Sequence, residues 1–203
     1  GRGAGAVSTN TAVGASALAS NTSGSTNTGL GYYALQGNTT GAGNTGVGYG
    51  AGYQTTTGSS NTSVGQYALQ ANTTASNNTA VGYQAGYTNA TGTRLAALGY
   101  RALATSTADG NTALGYKAQE VTSSGAANTA VGEVSLASNT TGSYNTAIGS
   151  NALISNTTAS YSTSVGYQSG YLNTGGSNTM LGAQAAYYLT SGTSNTYLGA
   201  ISG

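Results

Sequence analysis

Aliphatic positions in this chain are few, and they recur at a fixed place. A Val, Leu or Ile stands directly before a glycine at Val13-Gly14, Leu30-Gly31, Val47-Gly48, Val64-Gly65, Val81-Gly82 and Leu98-Gly99. The same pair returns at Leu114-Gly115, Val131-Gly132, Ile148-Gly149, Val165-Gly166, Leu181-Gly182 and Leu198-Gly199. Three residues beyond the glycine comes a small residue: Ala17, Ala34, Ala51, Ala68, Ala85, Ala102, Ala118, Ser135, Ala152, Ser169 and Ala185. The next position is often Leu (Leu18, Leu35, Leu69, Leu103, Leu136, Leu153). Where it is Gly, as at Gly52, Gly86 and Gly170, a Tyr follows, and that ring is expected to fill the space Leu fills elsewhere. The remaining positions are Asn, Thr, Ser and Gly, which is turn chemistry. The pattern predicts two short strands per unit, roughly Thr-Ala-Val and Tyr-Gln-Ala-Leu, hinged at the glycine. Frequent Gly and the β-branched residue before each bend argue against a helical hairpin. The Val column is expected to face inward, so Val81→Asp should bury an unpaired charge and disrupt stacking.

Units begin at Asn10, Asn27, Asn44, Asn61, Asn78, Leu95, Asn111, Asn128, Asn145, Ser162, Asn178 and Asn195, spaced by 17 residues with two intervals of 16. Such a period means a solenoid in which each unit is one coil stacked on the last. The expected fold is all-β, a parallel β-solenoid of about twelve coils forming a single repeat domain over 1–203. Within it 1–9 is a partial coil, 10–194 holds eleven full coils, and 195–203 is a second partial coil. Parallel stacking puts equivalent residues about 4.8 Å apart, in ladders of Val, Ala, Asn and Tyr. One Val or Leu, one or two Ala and a further Leu per coil bury little apolar area. Several copies packed side by side would cover what one copy leaves open. The chain opens on Gly1-Arg2-Gly3 and closes on a nine-residue unit, as a slice of a longer rod or a subunit stacking head to tail in a filament would.

Composition narrows the function. Four Lys or Arg and three Asp or Glu give a net charge of +1, and there is no His, Cys, Pro, Trp or Phe. Four scattered cations provide no electrostatic footprint for nucleic acid. The shortage of charge and Pro, with apolar residues in strict register, argues against a disordered chain. No apolar run is long enough for a membrane helix, so no membrane insertion is expected. With Asp109, Glu120 and Glu133 as the acids and no His or Cys, acid–base, nucleophilic and metal chemistry lack parts. The reading is not an enzyme, with no catalytic, metal or cofactor-binding residue and no cofactor.

The recurring N-T-A-V-G-Y-x-A-L and N-T-A-I-G-x-x-A-L, at Asn78 to Gly86, Asn111 to Gln119 and Asn145 to Leu153, resemble the head repeats of YadA-type trimeric autotransporter adhesins. They resemble even more the related repeats of phage and bacterial tail-fibre-domain proteins, along nearly the whole chain. The resemblance implies a left-handed β-roll assembled as a homotrimer, used outside the cell as a stalk or adhesive head. This chain has Thr11, Thr79 and Thr146 where the adhesin repeat carries an apolar residue. The function expected is a structural extracellular fibre segment, in a virion or on a cell surface, that attaches to a host. Its partners would be its own copies and a host polysaccharide or receptor. Two alternatives are an ice-binding solenoid using the Thr column, which Ala96 interrupts, and a carbohydrate-binding module using the Tyr columns.

Four sets of residues are candidates for these roles. Asn10, Asn27, Asn44, Asn61, Asn78, Asn111, Asn128, Asn145, Asn178 and Asn195 form a column suited to a structural amide ladder. Asn21, Asn38, Asn72, Asn89, Asn139 and Asn156 head N-x-S/T sequons at one place in the repeat, a possible row of glycosylation sites. Tyr49, Tyr83, Tyr100, Tyr116 and Tyr167, with Tyr32, share the position after the glycine and could contact a surface or glycan; Tyr53, Tyr87, Tyr171 and Tyr187 form a second column. Six of the seven charges lie between Arg94 and Glu133, where Arg101 and Lys117 share a column, a cluster suited to pinning the register of otherwise uniform coils.

Overall fold

A computed structural model describes residues 7–203, and the partial coil expected over 1–9 lies mostly outside them. The chain divides into two compact units, 1–101 and 102–203, and each is a parallel β-solenoid. The first unit holds β1 (Thr11–Val13), β2 (Thr28–Leu30), β3 (Thr45–Val47), β4 (Thr62–Val64), β5 (Thr79–Val81) and β6 (Ala96–Leu98). The second holds β7 (Thr112–Leu114), β8 (Thr129–Val131), β9 (Thr146–Ile148), β10 (Thr163–Val165), β11 (Thr179–Leu181) and β12 (Thr196–Leu198). Within each unit every strand pairs in parallel with the next, Thr on Thr and Val on Leu, as in Thr28↔Thr45 and Leu30↔Val47 or Thr129↔Thr146 and Val131↔Ile148.

Each coil carries one strand, not two. The segment expected as a second strand, 32–35 in the second coil, is turn throughout. Its alternate residues take left-handed backbone, Tyr33 at φ 62° and Leu35 at φ 51°, and neighbouring coils repeat this at Tyr67 and Leu69. A left-handed residue costs about 1–2 kcal/mol when it is not glycine. The surroundings repay it: Leu35 N–H donates to the Ala51 carbonyl of the next coil at 2.9 Å, and its side chain is 1% exposed. No Val or Ile occupies the Leu35 column, although Val134 and Ile201 take the same left-handed backbone two positions earlier in their coils. Where Gly takes the place, the vacated volume is filled by the leucine one coil earlier rather than by the tyrosine beside it. A Cβ on Gly52 would lie 2.7 Å from Leu35 Cδ2, and one on Gly86 would lie 2.9 Å from Leu69 Cδ2. In the second unit Met180 does part of this work against Gly170.

The strand's inner face also differs from the expectation. The residue inside is the middle one, Ala80 at 0% exposure, Ala97, Ala113, Ala130 or Ala147, whereas Val13, Leu30, Val81, Leu114 and Leu181 are exposed. Side chains alternate across a strand, so Thr and Val share the outer face once Ala points in. Where Leu fills the lumen the middle residue is Gly, Ala or Ser, and in β11, where Gly170 and Ala186 stand in the Leu column, Met180 takes the space instead. Val81→Asp therefore costs the fold of the single chain far less than Ala80→Asp, which, one residue earlier, buries an unpaired carboxylate inside the coil whatever covers its outer face. Paired melts of the two variants check this, and equal losses would restore the inward Val column.

Candidate functional site

Two asparagine columns meet inside each coil. In the first unit Asn27 and Asn38 are both fully buried. Asn27 Nδ2 donates to the Gly41 carbonyl at 2.8 Å, and Asn38 Nδ2 donates to the same oxygen at 3.0 Å. Asn27 Oδ1 accepts the Asn44 backbone N–H of the next coil at 2.8 Å. Asn61 and Asn72 repeat this on Ala75, and in the second unit Asn128 and Asn139 repeat it on Gly142. The turn carbonyl thus has two amide donors and the next coil's entry N–H its acceptor, while Asn38 Oδ1 and Asn139 Oδ1 are buried without a hydrogen-bond partner.

This geometry corrects the glycosylation reading. Asn21, Asn38, Asn72, Asn89, Asn139 and Asn156 are at most 1% exposed. The nitrogen a sugar would occupy is donated to the carbonyl three residues on. A glycan there would empty the coil of its amide, so the column is a second structural ladder and not a row of acceptors. Sequence reasoning missed this because Asn-x-Thr is equally the signature of a turn whose Asn folds back on its own backbone.

The outer surface carries the tyrosines. Tyr49, Tyr83, Tyr100, Tyr116 and Tyr167 are all exposed, but they do not form one uniform ladder. Tyr83 and Tyr100 stack at 5.4 Å and 13°, and Lys117 Nζ lies 5.7 Å from the Tyr116 ring while pairing with Glu120 at 3.5 Å. Tyr49 instead meets Tyr67 edge-on at 5.2 Å and 87°. Tyr33 stands edge-on to Tyr53 at 5.8 Å and to Tyr49 at 6.3 Å. Tyr33 and Tyr67 were assigned to no column from the sequence. Both lie two residues after the bend glycine, and the coil between them has Gly50 at that place.

That substitution opens a cavity of about 220 Å³ lined by Tyr33, Tyr49, Gly50, Tyr53, Tyr67 and Gln70. A Cβ on Gly50 would sit 3.0 Å from Tyr67 Cδ1, so the ring leans across the glycine. Tyr53 also lines a second cavity, of about 410 Å³, with Ser20, Gln36, Gly37, Gln54, Thr56 and Thr73. Gln36 Oε1 is buried there without a hydrogen-bond partner. A hydrogen bond to Tyr67 raises the Tyr49 hydroxyl above the ordinary tyrosine pKa of 10.0, and one to Tyr33 does the same for Tyr32. Both phenols are therefore neutral at physiological pH. Among the described residues no group of three His, Cys, Asp or Glu could hold a metal ion, and no helix is long and apolar enough to cross a membrane.

Compared with family models, curated proteins and solved structures, the chain matches none.

Proposed function

We propose that the chain is a segment of an extracellular structural fibre, on a virion or a cell surface, that assembles as a homotrimer and carries an attachment surface. The observation that carries this reading is the outward column of aliphatic side chains, with Val13 at 51% exposure, Leu30 at 47%, Leu114 at 48% and Leu181 at 50%. Scattered exposed aliphatics need no explanation, but a column repeated on every strand of a unit is a contiguous apolar strip of the kind that marks an interaction surface. The likeness to adhesin head repeats supports copies of the same chain as the covering partner, and threefold symmetry as the arrangement. The lumen is closed by Leu and by the Asn ladders, so each coil folds on itself and lengthens the rod.

Light scattering of the purified chain is expected to give three times the chain mass. Replacing Leu30 and Leu114 together by Glu is expected to release monomers whose helix-free circular dichroism is unchanged. A monomeric parent chain overturns the assembly.

A second reading is favoured by one specific feature. Each strand except β6, where Ala96 replaces the Thr, presents Thr and an aliphatic residue side by side on its outer face, the middle residue being buried in β2, β3, β4 and β5. A repeated array of hydroxyls and methyl groups suits ice binding. Thermal hysteresis in a solution of the parent chain separates it from the fibre.

A further inference from the structure

We propose that the first unit holds a two-subsite groove for a neutral oligosaccharide, with Tyr53 as the ring shared between an aromatic subsite and a polar one. The inference deepens the attachment reading by naming its ligand class, and it rests on that reading only for its biological use.

The aromatic subsite exists because one coil lacks the tyrosine that its two neighbours carry. Tyr33 and Tyr67 occupy the same column one coil to either side of Gly50, and the missing side chain leaves the cavity bounded by rings. Its size, about 220 Å³, falls below the roughly 300–1,000 Å³ of pockets that take a drug-sized ligand. It suits one compact ring. The tyrosines that bound it meet edge to face, Tyr33 with Tyr53 and Tyr49 with Tyr67. Such rings combine a flat apolar body with a polar tip, which matches a sugar whose C–H face is apolar and whose rim is hydroxylated.

The adjoining cavity adds polar side chains to a lining that stays largely apolar. Gln36, Gln54, Thr56 and Thr73 line it with amides and hydroxyls. The Gln36 Oε1 acceptor is buried and unpartnered, and a buried acceptor left without a donor costs about 1–3 kcal/mol. A sugar hydroxyl removes that penalty once the half-buried Gln36 side chain turns its amide oxygen into the cavity. No residue lining either cavity carries a formal charge, so the groove offers nothing to a sulfate, a phosphate or an acidic sugar. A quaternary ammonium ion would suit the rings alone, but it would leave the amide-lined half unused.

The groove is a property of the single chain and does not depend on assembly. Isothermal titration of the chain with maltohexaose, cellohexaose and a mannan hexasaccharide is expected to show binding of at least one of them. Tyr53→Ala and Gly50→Tyr should each weaken that binding at least about tenfold, and Gln36→Leu severalfold. Gly50→Tyr fills the aromatic subsite in a backbone conformation that Tyr33 and Tyr67 already hold, at φ 62° and 60°, and the Tyr67 ring, 3.0 Å from the new Cβ, swings aside to admit it. Its binding loss at an unchanged melting temperature therefore separates occupancy from unfolding. Tyr144→Ala, which removes an exposed ring from the second unit, should leave binding as it is. Failure of all three neutral hexasaccharides to bind overturns the proposal, as does displacement of the sugar by tetramethylammonium at lower concentration, or an equal loss in Tyr144→Ala. Sugar binding by a chain that scatters light as a monomer would sink the trimer and leave the groove intact. A trimer that binds no sugar would do the reverse.

Discussion

Gly65→Ala lowers the stability of the first unit by about 3–5 kcal/mol, a large loss for one added methyl group. Two costs add. Gly65 sits at φ +123°, outside the backbone range open to residues with a side chain. A Cβ there would also lie 2.6 Å from the Gly82 carbonyl oxygen and 2.8 Å from its carbon. Neither neighbour can give way, because Gly82 N–H is donated to the Val64 carbonyl at 2.8 Å and so holds the coil spacing. The glycine column is thus a demand for close approach as much as for a bend. Urea titration with a tryptophan-free probe such as circular dichroism at the strand minimum measures the loss, and a change below about 1 kcal/mol would contradict the contact.

The second large effect is electrostatic. Asn27→Asp keeps the shape of the ladder and replaces its donor by a carboxylate oxygen facing the Gly41 carbonyl. Asn27 is fully buried, and burial disfavours the charged form, raising the carboxyl pKa in the folded chain above the unfolded value of about 3.9. The sign follows from linkage. Below about pH 3.9 the protonated acid donates as the amide did, and stability is close to that of the parent. As pH rises toward the raised folded value that stability is lost, reaching a deficit of about 3–4 kcal/mol at neutral pH for a shift of two to four units. The parent is a clean control, since Asp109, Glu120 and Glu133 are its only acidic side chains. Melting temperatures of both proteins at pH 3 and pH 7 decide the matter. A variant equally destabilised at the two values would show that packing, and not charge, governs the position.

These two positions also mark how far the sequence could be read. The period, the parallel stacking and the glycine at each bend follow from spacing alone, because a residue required in every coil must recur in every coil. Asn27 and its column were legible for the same reason. The Asn38 column was equally regular, yet its pattern served a surface sequon and an inward turn alike. Only the position of Gly41 O, where both amides converge, distinguishes them. The Tyr33–Gly50–Tyr67 gap was visible as letters and invisible as a site, since a cavity depends on where the flanking rings lean.

What the sequence by itself determined is therefore the repeat and its chemistry: a stack of short parallel strands, polar turns, little charge and a core supplied in small portions. What only the tertiary structure decided is which side of each portion faces in. A three-residue strand Thr-Ala-Val satisfies alternation with either Ala or the Thr and Val pair inside. The choice falls to the segment that returns across the coil. There Leu35 and its equivalents, held in a left-handed backbone, already fill the lumen. With that volume taken only a methyl fits opposite, and the larger aliphatic side chains are left on the outside.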